Sequence, residues 1–376
     1  MQSIRDATQP NPTSQYVVGT VTHLERQFNV LPAGGISANR FLSMDAYSAA
    51  MAFVEGSFTV QGDVFAAIRF FLRHPHSKLR DAWSYIGARM GSLWIDLWPG
   101  SKARAQREIQ FHYDRSNQFY RLFLDSRMQY SSADYSDSRR SLEEAQLAKL
   151  DHICTALDLR PQERFLDVGC GWGGLITHAA ERFGALARGC TMSRQQYEFA
   201  RNEVEARGLG ERVMIKIEDY RDLGGQFDKI ASVGMFEHVG RGRLKLYFER
   251  MHAMLKSDGL FLNRGVIRPE QTTDGAETLF LQKRVFPGGE LAHLSDVVRT
   301  AGLAGFEVVS AQDLRLHYAR TCRDWVERLQ GNAAECRRLV GETTYRTWLL
   351  YLAASAVNFE DGHTSAAELV FAKNPA

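Results

Sequence analysis

Residues Arg164–Gly174 read R-F-L-D-V-G-C-G-W-G-G, and this stretch decides the fold. Its first half, F-L-D-V, is an apolar run with the length of a buried strand. Four glycines follow, and apolar residues recur at helical spacing from Leu175 onward. The glycines are Gly169, Gly171, Gly173 and Gly174. A strand, a glycine turn and a helix in this order are typical of the first unit of a doubly wound α/β domain.

The glycine turn also predicts a ligand, because a helix N-terminus presents unpaired backbone N–H groups. A dinucleotide site needs a third glycine three residues after the second and an acidic residue about 20 residues further on. Here only Trp172 separates Gly171 from Gly173, and the next strand-like run ends in Thr191–Ser193, without a carboxylate. The sequence therefore favours a nucleoside without a pyrophosphate, such as S-adenosylmethionine (SAM). A tight turn that binds nothing is the alternative, but so many glycines are costly for a mere turn.

Length and composition indicate an ordinary globular protein of two domains. The chain has 376 residues, of which 44% are hydrophobic and 24% are charged. A net charge of +2 does not indicate a dedicated nucleic-acid binder. The 5 cysteines form no C-x-x-C pair and no metal-ligand spacing, which indicates reduced thiols and no metal site.

Two features predict a cytoplasmic protein that touches membranes only peripherally. The N-terminus lacks the apolar segment of a signal peptide. The longest apolar stretch, 348–357, is too short to span a bilayer. A basic cluster at 73–80, R-H-P-H-S-K-L-R, is either a solvated face or a patch that meets anionic lipid headgroups at the inner face of the membrane.

The first hundred residues predict a small α+β domain, with a boundary near residue 100. Residues 1–20 carry no clear pattern, and 57–62 predict a hairpin around Gly62. An amphipathic helix is expected over Asp63–Arg73. The polar, basic stretch 101–107 predicts a linker or an exposed helix. We therefore assign residues 1–100 to an N-terminal lipid-binding or oligomerisation domain and 101–376 to the catalytic domain.

The catalytic domain opens with a segment rich in aromatic and hydroxyl side chains. Residues 112–135 have no continuous helical period and suit a lid that excludes water and fixes a polar ligand. Residues 141–157 predict an amphipathic helix with a capping box at its start.

Strands and helices then alternate, which predicts a parallel sheet with ligands at the carboxyl ends of the strands. The predicted strands are 164–168, 186–190, 212–217, 227–233 and 259–263, with helices at 194–207 and 241–255. Gly169, Thr191, Glu218 and Glu237 fall at the strand ends. A late strand is expected at 306–310, then helices at 321–340 and 345–357 and a final strand at 367–372.

Eight motifs in order resemble the cyclopropane-fatty-acid synthase and mycolic-acid methyltransferase family, from about Phe111 to the C-terminus. The motifs are H-Y-D-x-x-N-x-F-Y, Y-S-x-A-x-Y, L-D-V-G-C-G-W-G-G, T-x-S-x-x-Q, D-Y-R-D, S-V-G-M-F-E-H-V-G, F-P-G-G-x-L and H-Y-A-x-T. The resemblance implies a Rossmann-like domain that transfers a methyl group from SAM to a cis double bond of a phospholipid acyl chain. It also suggests a homodimer formed through the N-terminal domain.

The resemblance assigns cofactor-binding roles to residues from several motifs. Tyr130 and Ser131 would approach SAM from the lid, and Gly169 and Gly171 would lie against its amino-acid part. Thr191, Met192 and Gln196 would surround the ribose. Glu218 and Asp219 would flank the adenine.

The family's catalytic site holds a bicarbonate ion, and this chain departs from it at two positions. In the family a cysteine, a glutamate, a histidine and a tyrosine hold the ion. Glu237 matches the glutamate and Tyr318 the tyrosine, but Ser132 replaces the cysteine and Arg264 the histidine. Either residue that matches could be merely structural, Glu237 as a helix cap and Tyr318 as a buried aromatic.

The replacements leave the product open. Arg264 could hold bicarbonate, which would preserve cyclopropane formation, or it could pair with Glu237 and fill the anion site. We favour the second, with a methyl-branched alkene or a furan-fatty-acid precursor as the product. Tyr318, Phe236 and Phe286 are candidates to stabilise a carbocation. A methyltransferase of a soluble amine and a lipid-binding protein without catalysis are the alternative functions.

Overall fold

The computed structural model describes residues 28–32, 44–73, 116–272, 276–286 and 290–373. Several predictions fall outside these residues: the unpatterned N-terminus, residues 74–80 of the basic cluster, the 101–107 segment and the domain boundary near residue 100. The beginning of the predicted lid and residues 287–289 of the F-P-G-G motif also lie outside them.

A seven-stranded sheet forms the centre of the catalytic domain, with strand order β5-β4-β3-β6-β7-β9-β8. Its strands are β3 (Arg164–Val168), β4 (Leu186–Thr191), β5 (Val213–Ile217), β6 (Phe227–Val233), β7 (Leu255–Ile267), β8 (Phe306–Asp313) and β9 (Ser365–Lys373). The order reverses at β3, next to the glycine turn, and ligands bind at such a switch point. The predicted doubly wound α/β fold is confirmed.

The sheet is parallel only as far as β7. Strand β9 runs antiparallel to both β7 and β8. The prediction of a parallel sheet was therefore wrong for this edge. The physical reason is connectivity, since two consecutive helices within residues 315–361 lead from β8 to β9, whereas neighbouring parallel strands are usually joined by one crossover helix.

The helices confirm most of the predicted segments. They are α3 (Asn117–Arg121), α4 (Leu142–Ala156), α5 (Gly174–Phe183), α6 (Arg194–Ala206), α7 (Leu244–Met254), α8 (Ala276–Arg284), α9 (Leu294–Leu303), α10 (Arg315–Gly331) and α11 (Ala333–Asp361). The predicted capping box of α4 is present, because Ser141 and Glu144 bond each other's backbone and side chains.

The last two helices differ from the prediction. Tyr318 lies in the first turns of α10, whereas the sequence placed it before the helix. Gly341, with φ 77° and ψ 164°, interrupts α11 and confirms the predicted division between residues 340 and 345. A further break at Asn332, where α10 ends, was not predicted.

The N-terminal unit, as we call residues 28–32 and 44–73, contains two strands and two helices. They are β1 (Phe28–Pro32), α1 (Ala46–Val54), β2 (Phe58–Gly62) and α2 (Val64–Arg73). The predicted hairpin around Gly62 was wrong, because β2 pairs antiparallel with β1 instead. The predicted helix is confirmed, and Asp63 caps it by accepting bonds from the Phe65 and Ala66 amides.

The N-terminal unit shares one hydrophobic core with the C-terminal helices. Phe28, Phe53 and Phe58 belong to the same buried cluster as Trp348 on α11. Arg346 on α11 also donates to the carbonyls of Phe53 at 3.1 Å and Phe58 at 2.8 Å. The unit is thus held by apolar packing and by a charged donor.

Three further observations concern the described residues. None of their helices is long and apolar enough to cross a membrane. They contain no cluster of histidine, cysteine and acidic side chains that could hold a metal ion. The cysteines are all buried and free of disulfide bonds.

Candidate active site

A cavity of about 1170 Å³, its open mouth included, lies at the carboxyl ends of β3, β4, β5 and β6. Every residue that the sequence assigned to the cofactor lines it. These residues are Tyr130, Ser131, Gly169, Gly171, Thr191, Met192, Gln196, Glu218 and Asp219. The four predicted catalytic residues lie outside this lining, although Glu237 directly precedes the lining residue His238.

The glycine turn after β3 requires a backbone that side chains disfavour. Gly169, Gly171 and Gly173 have φ values of 85°, 52° and 84°. A Cβ at Gly169 would lie 2.8 Å from Met235, and one at Gly173 would lie 2.9 Å from Ala200. Glycine at these positions therefore meets two needs, the left-handed backbone and close packing.

Gln196 points its amide nitrogen into the cradle formed by the turn. Thr191 Oγ1 donates to Gln196 Oε1 at 2.7 Å, which fixes the orientation of the amide. The Gln196 Nε2 atom lies 4.0 Å from the place a Cβ of Gly171 would occupy. This amide is thus a pre-oriented donor for a ligand hydroxyl.

The two acidic residues predicted to flank the adenine are both engaged in ion pairs. Glu218 pairs with Arg188 at 2.6 Å, and Asp219 pairs with Arg221, which stands two residues away. Arg221 also contributes to the cavity lining. These pairs fix the positions of the carboxylates at the edge of the cavity.

Helix α4 holds the segment that carries Tyr130 and Ser131. Gln146 Nε2 donates to the Ser131 carbonyl at 3.0 Å, and Lys149 Nζ donates to Ser131 Oγ at 3.0 Å. The same ammonium donates to Gln129 Oε1 at 2.7 Å. The buried α4 residue Lys149 therefore fixes one wall of the cavity.

The sequence reasoning did not identify Lys149 as a site residue. The signal for it was available, because residues 146, 149, 150 and 153 share one buried helical face, and two of them are polar. Burial and the neighbouring Arg264 guanidinium together lower the pKa of Lys149 to about 7, although Asp125 and Asp167 act in the opposite direction.

Asp167 was also missed, although it stands inside the decisive motif. It is buried and lines the cavity, and its Oδ1 has no hydrogen-bond partner among the described residues. Burial raises the pKa of this carboxyl to about 7, and Lys149 opposes that shift. An unsatisfied buried oxygen at a cavity wall is a place for a donor from a ligand.

Glu237 follows β6 and faces the backbone of β7. Its Oε1 accepts a hydrogen bond from the Val266 amide at 2.7 Å. Its Oε2 is buried and has no hydrogen-bond partner among the residues that the structure describes. Desolvation raises the pKa of the Glu237 carboxyl to about 7, so this group can take up a proton near neutrality. Because Glu237 accepts a hydrogen bond from the backbone of β7, its role goes beyond that of a helix cap.

Arg264 does not pair with Glu237, which was our favoured interpretation of the sequence. Its Nη1 donates to Glu368 Oε2 at 2.9 Å, and its Nη2 donates to the Ser132 carbonyl at 3.0 Å. The other Glu368 oxygen meets His152 Nε2 at 2.6 Å. The correction has a physical cause, because β9 places a buried carboxylate beside Arg264 and neutralises its charge.

The two replaced positions do not form an anion site. Ser132 is buried, and its Oγ donates to the Ala133 carbonyl at 3.2 Å. Both Nη atoms of Arg264 donate to protein acceptors, its buried Nε has no partner among the described residues, and Glu368 already neutralises the guanidinium charge. The residues present therefore do not fit a bound bicarbonate, and we derive no step through one.

Tyr318 belongs to an aromatic cluster. Its ring stacks on Phe359 with centroids 4.6 Å apart, and it meets Trp325 edge-on at 6.2 Å. Trp325 in turn lies 5.1 Å from the ring of Tyr130, a residue of the cavity wall. The rings thus link the predicted catalytic tyrosine to the cofactor cavity.

The other two aromatic candidates flank Glu237. Phe236 precedes it in the chain and is buried. Phe286 lies 5.7 Å from the ring of His238. Burial lowers the pKa of His238 to about 4, so this imidazole is neutral at physiological pH.

The comparisons with known proteins agree on one family. A sequence model of the mycolic acid cyclopropane synthetase family matches residues 100–369. A probable fatty acid methyltransferase of Pseudomonas putida is 40% identical over 319 residues, which cover 83% of this chain and 78% of that protein. A sphingolipid C9-methyltransferase of Komagataella phaffii is 29% identical over 337 residues, covering 86% of this chain and 68% of that protein.

A solved structure of a similar protein has the same fold and contains the product formed from the cofactor. The mycolic acid cyclopropane synthase CmaA1, complexed with S-adenosylhomocysteine and CTAB, has a TM-score of 0.68 and 31% sequence identity. The match covers 71% of this chain and 98% of that one.

The cavity described above fits SAM. The left-handed glycines leave space where side chains would stand, Gln196 offers a fixed donor, and the unsatisfied Asp167 oxygen can accept from an ammonium group. With the family match, these features make the chain a SAM-dependent methyltransferase that belongs to the mycolic acid cyclopropane synthetase family.

Proposed function

We propose that this enzyme transfers a methyl group from SAM to a carbon of a cis double bond in a phospholipid acyl chain and releases a methyl-branched alkene. The observation that carries the proposal is the buried Glu237 Oε2, a carboxylate oxygen without a partner among the described residues, next to the cofactor cavity. The names of the relatives support it, since they include a fatty acid methyltransferase and a sphingolipid C9-methyltransferase.

The chemistry needs a site that tolerates positive charge and excludes water. SAM supplies an electrophilic methyl group when it is bound. The alkene π electrons form the new C–C bond, which leaves a carbocation on the neighbouring carbon of the acyl chain. The faces of Tyr318, Phe236 and Phe286 can stabilise that charge, because aromatic rings are negative above their planes.

The reaction ends when a proton leaves the acyl chain. Loss of a proton from the transferred methyl group, with a new C–C bond from that carbon to the cation, gives a cyclopropane. Loss of a proton from an acyl carbon next to the cation gives an alkene. Because Glu368 already neutralises the charge of Arg264, we take the base from the protein and not from a bound anion. We assign that role to Glu237, whose raised pKa suits proton uptake near pH 7.

A soluble amine is the second candidate substrate. It is supported only by the general likeness of methyltransferase folds. Of the acidic groups near the cavity, Glu218 and Asp219 are paired with arginines, and our account assigns Asp167 to the cofactor's ammonium group and Glu237 to proton removal. We therefore favour the lipid substrate. We further propose that the enzyme reaches this substrate through peripheral contact with the cytoplasmic face of the membrane, and that it forms a homodimer.

The substrate class is tested with SAM that carries an isotopic label on its methyl group. The protein is incubated with vesicles of mono-unsaturated phospholipid, with vesicles of saturated phospholipid and with a panel of soluble amines. We expect label in the acyl chains of the unsaturated vesicles alone. Label in an amine, or no label in any lipid while SAM still binds, would overturn the proposal.

The product is tested by rebuilding the family's anion site. The variant Ser132→Cys/Arg264→His/Glu368→Gln restores both replaced positions and removes the carboxylate that the arginine neutralised. We expect its products to shift from methyl-branched alkene toward cyclopropane. Glu368→Gln alone is the control. An unchanged product ratio in the triple variant, with SAM binding retained, would contradict the role given to these positions.

A further inference from the structure

A second cavity lies between the N-terminal unit and the helices α8 and α11. Counted with its open mouth, the space between them is about 1010 Å³. The N-terminal unit supplies Phe28, Val30, Ala46, Ala49, Ala50, Phe53, Phe58, Val60, Val64, Ala67, Ile68, Phe70, Phe71 and Leu72. The two helices supply Phe280, Leu281, Leu350, Tyr351, Ala354, Ser355 and Asn358.

The walls of this cavity are apolar. Of the described residues that line it, Tyr351, Ser355 and Asn358 are the ones with a polar side-chain group. None of the described lining residues has a charged side chain. A space of this kind excludes amines, phosphates and sugars, and it suits a hydrocarbon chain.

Two aromatic connections join this cavity to the proposed reaction site. The lining residue Tyr351 meets Phe286 edge-on at 5.5 Å, and Phe286 lies 5.7 Å from His238 in the wall of the cofactor cavity. The lining residue Asn358 is followed by Phe359, which stacks on Tyr318. On each of these two routes, a single aromatic side chain separates the second cavity from the proposed reaction site.

The N-terminal wall is a fixed part of the structure. Arg346 holds the carbonyls of Phe53 and Phe58, and Arg69 pairs with Glu360, the residue after Phe359. Arg323 on α10 pairs with the same glutamate and lies 4.1 Å above the ring of Phe65. These contacts hold the wall against α10 and α11.

This wall also lies outside the family match, which begins at residue 100. We propose that the second cavity binds the methyl-terminal end of the substrate acyl chain, and that residues of the N-terminal unit set how many carbons can follow the double bond. The proposal rests on the proposed function, because it assumes an acyl substrate. It assigns a specificity role to Ala67 and Phe70, two residues of α2 that line the cavity.

Binding is tested first, without turnover. A fluorescent conjugated-polyene fatty acid is titrated into the wild-type enzyme with SAM omitted. Ala67→Phe fills the cavity and should weaken binding by about tenfold, since the displaced methylenes lose their buried surface. The control is Gln61→Phe on the exposed face of β2, which should bind like the wild type. Equal binding by Ala67→Phe and the wild type would overturn the proposal.

Chain-length selection is tested with mixed vesicles. Two phospholipids share the same double-bond position, and one has two more methylenes on the methyl side. Ala67→Phe should shift the product ratio toward the shorter chain, and Phe70→Ala should shift it toward the longer one, each by about tenfold. Unchanged ratios in both variants would contradict the role of the N-terminal unit.

The two tests separate the proposals from each other. If the wild type methylates no lipid, the proposed function fails, but the fatty-acid titration still decides whether the cavity binds a hydrocarbon chain. If lipids are methylated but Ala67→Phe binds the polyene like the wild type, or both variants keep the wild-type product ratio, the cavity proposal alone fails.

Discussion

Glu237 combines three properties that single residues of this chain rarely share. It accepts one backbone bond, from Val266, it leaves a second oxygen buried without a partner among the described residues, and it lies beside the cofactor cavity. A buried, unsatisfied carboxylate is unfavourable for folding, so its presence indicates a functional role. The chemistry of proton removal supplies that role in our account.

The pH dependence of stability should reveal this carboxyl. Its pKa is about 7 in the folded state against 4.5 for an ordinary glutamate, so the folded state binds the proton more tightly. The stabilising contribution is complete below pH 4.5 and is lost as the pH rises through 7. Relative to the wild type, Glu237→Gln should therefore gain stability over this interval, by about 3 kcal/mol in total.

Chemical denaturation of both proteins across this pH range measures the difference. Turnover should show the opposite dependence in the wild type, rising as Glu237 ionises, and Glu237→Gln should lose turnover while it still binds SAM. A stability difference that does not change with pH would contradict the assigned pKa.

The pair of Arg264 and Glu368 should behave as a unit. Arg264→Met leaves the buried Glu368 carboxylate with only His152 and should cost about 3–5 kcal/mol of unfolding free energy. Arg264→Met/Glu368→Leu should recover most of that loss. Arg194→Met, in an exposed pair with Glu198, is the control and should cost less than about 1 kcal/mol. Additive losses in the double variant would show that the pair is not coupled.

For individual residues, the sequence predicted which ones line the cofactor cavity better than it predicted which charged side chains pair with each other. The cavity residues follow strand ends or belong to short motifs, so local patterns locate them. Glu368 is 104 residues from Arg264, and no local pattern connects them. The pairing of Arg264 with Glu237 was wrong for this reason.

Among the secondary-structure elements, the glycine turn and the helix after it determine the cofactor site. Gly171 and Gly208 both have left-handed backbones, with φ of 52° and 65°, but only Gly171 faces the cavity. An alanine at either position carries a similar backbone cost of about 1 kcal/mol. A comparison of alanine variants at the two positions therefore separates the cost of backbone strain from the loss of space for the ligand.

We expect Gly171→Ala to weaken SAM binding by about tenfold or more, because the methyl group occupies ligand space next to Gln196. Gly208→Ala, at the end of α6 with no atom within 4 Å of its Cβ, should bind SAM like the wild type. Isothermal titration calorimetry measures both. Equal losses in the two variants would mean that Gly171 serves the turn alone.

Periodicity predicted the elements of the central α/β unit, because their apolar faces repeat at clear intervals. It failed where strand pairing depends on distant contacts. The pairing of β2 with β1 spans a segment outside the described residues, and the antiparallel edge formed by β9 depends on α11. Neither feature has a local signal.

The contact between the N-terminal unit and α11 is the main feature at the scale of the whole molecule. The sequence predicted a separate small domain, whereas the structure gives the unit and the C-terminal helices one common core. Sequence patterns show which faces are apolar, but they do not show which apolar face meets which.

Arg346 should hold this contact. Arg346→Met removes the donors to the Phe53 and Phe58 carbonyls and should raise amide exchange in α1 and β2, while the central sheet remains protected. The control is Arg338→Met on the same helix, since Arg338 is exposed and pairs with Glu335. Hydrogen–deuterium exchange with mass spectrometry compares them. Exchange that is the same in both variants would show that apolar packing alone holds the unit.

The central claim is that this methyltransferase makes a methyl-branched alkene from an unsaturated phospholipid acyl chain. The most direct measurement is mass spectrometry of the acyl chains after incubation of vesicles with the wild-type enzyme and SAM, before and after mild hydrogenation. Our account predicts a gain of one carbon and a product that takes up hydrogen. A product with one added carbon that resists hydrogenation would be a cyclopropane and would contradict the proposed methyl-branched product, and the absence of any gain would contradict the lipid substrate.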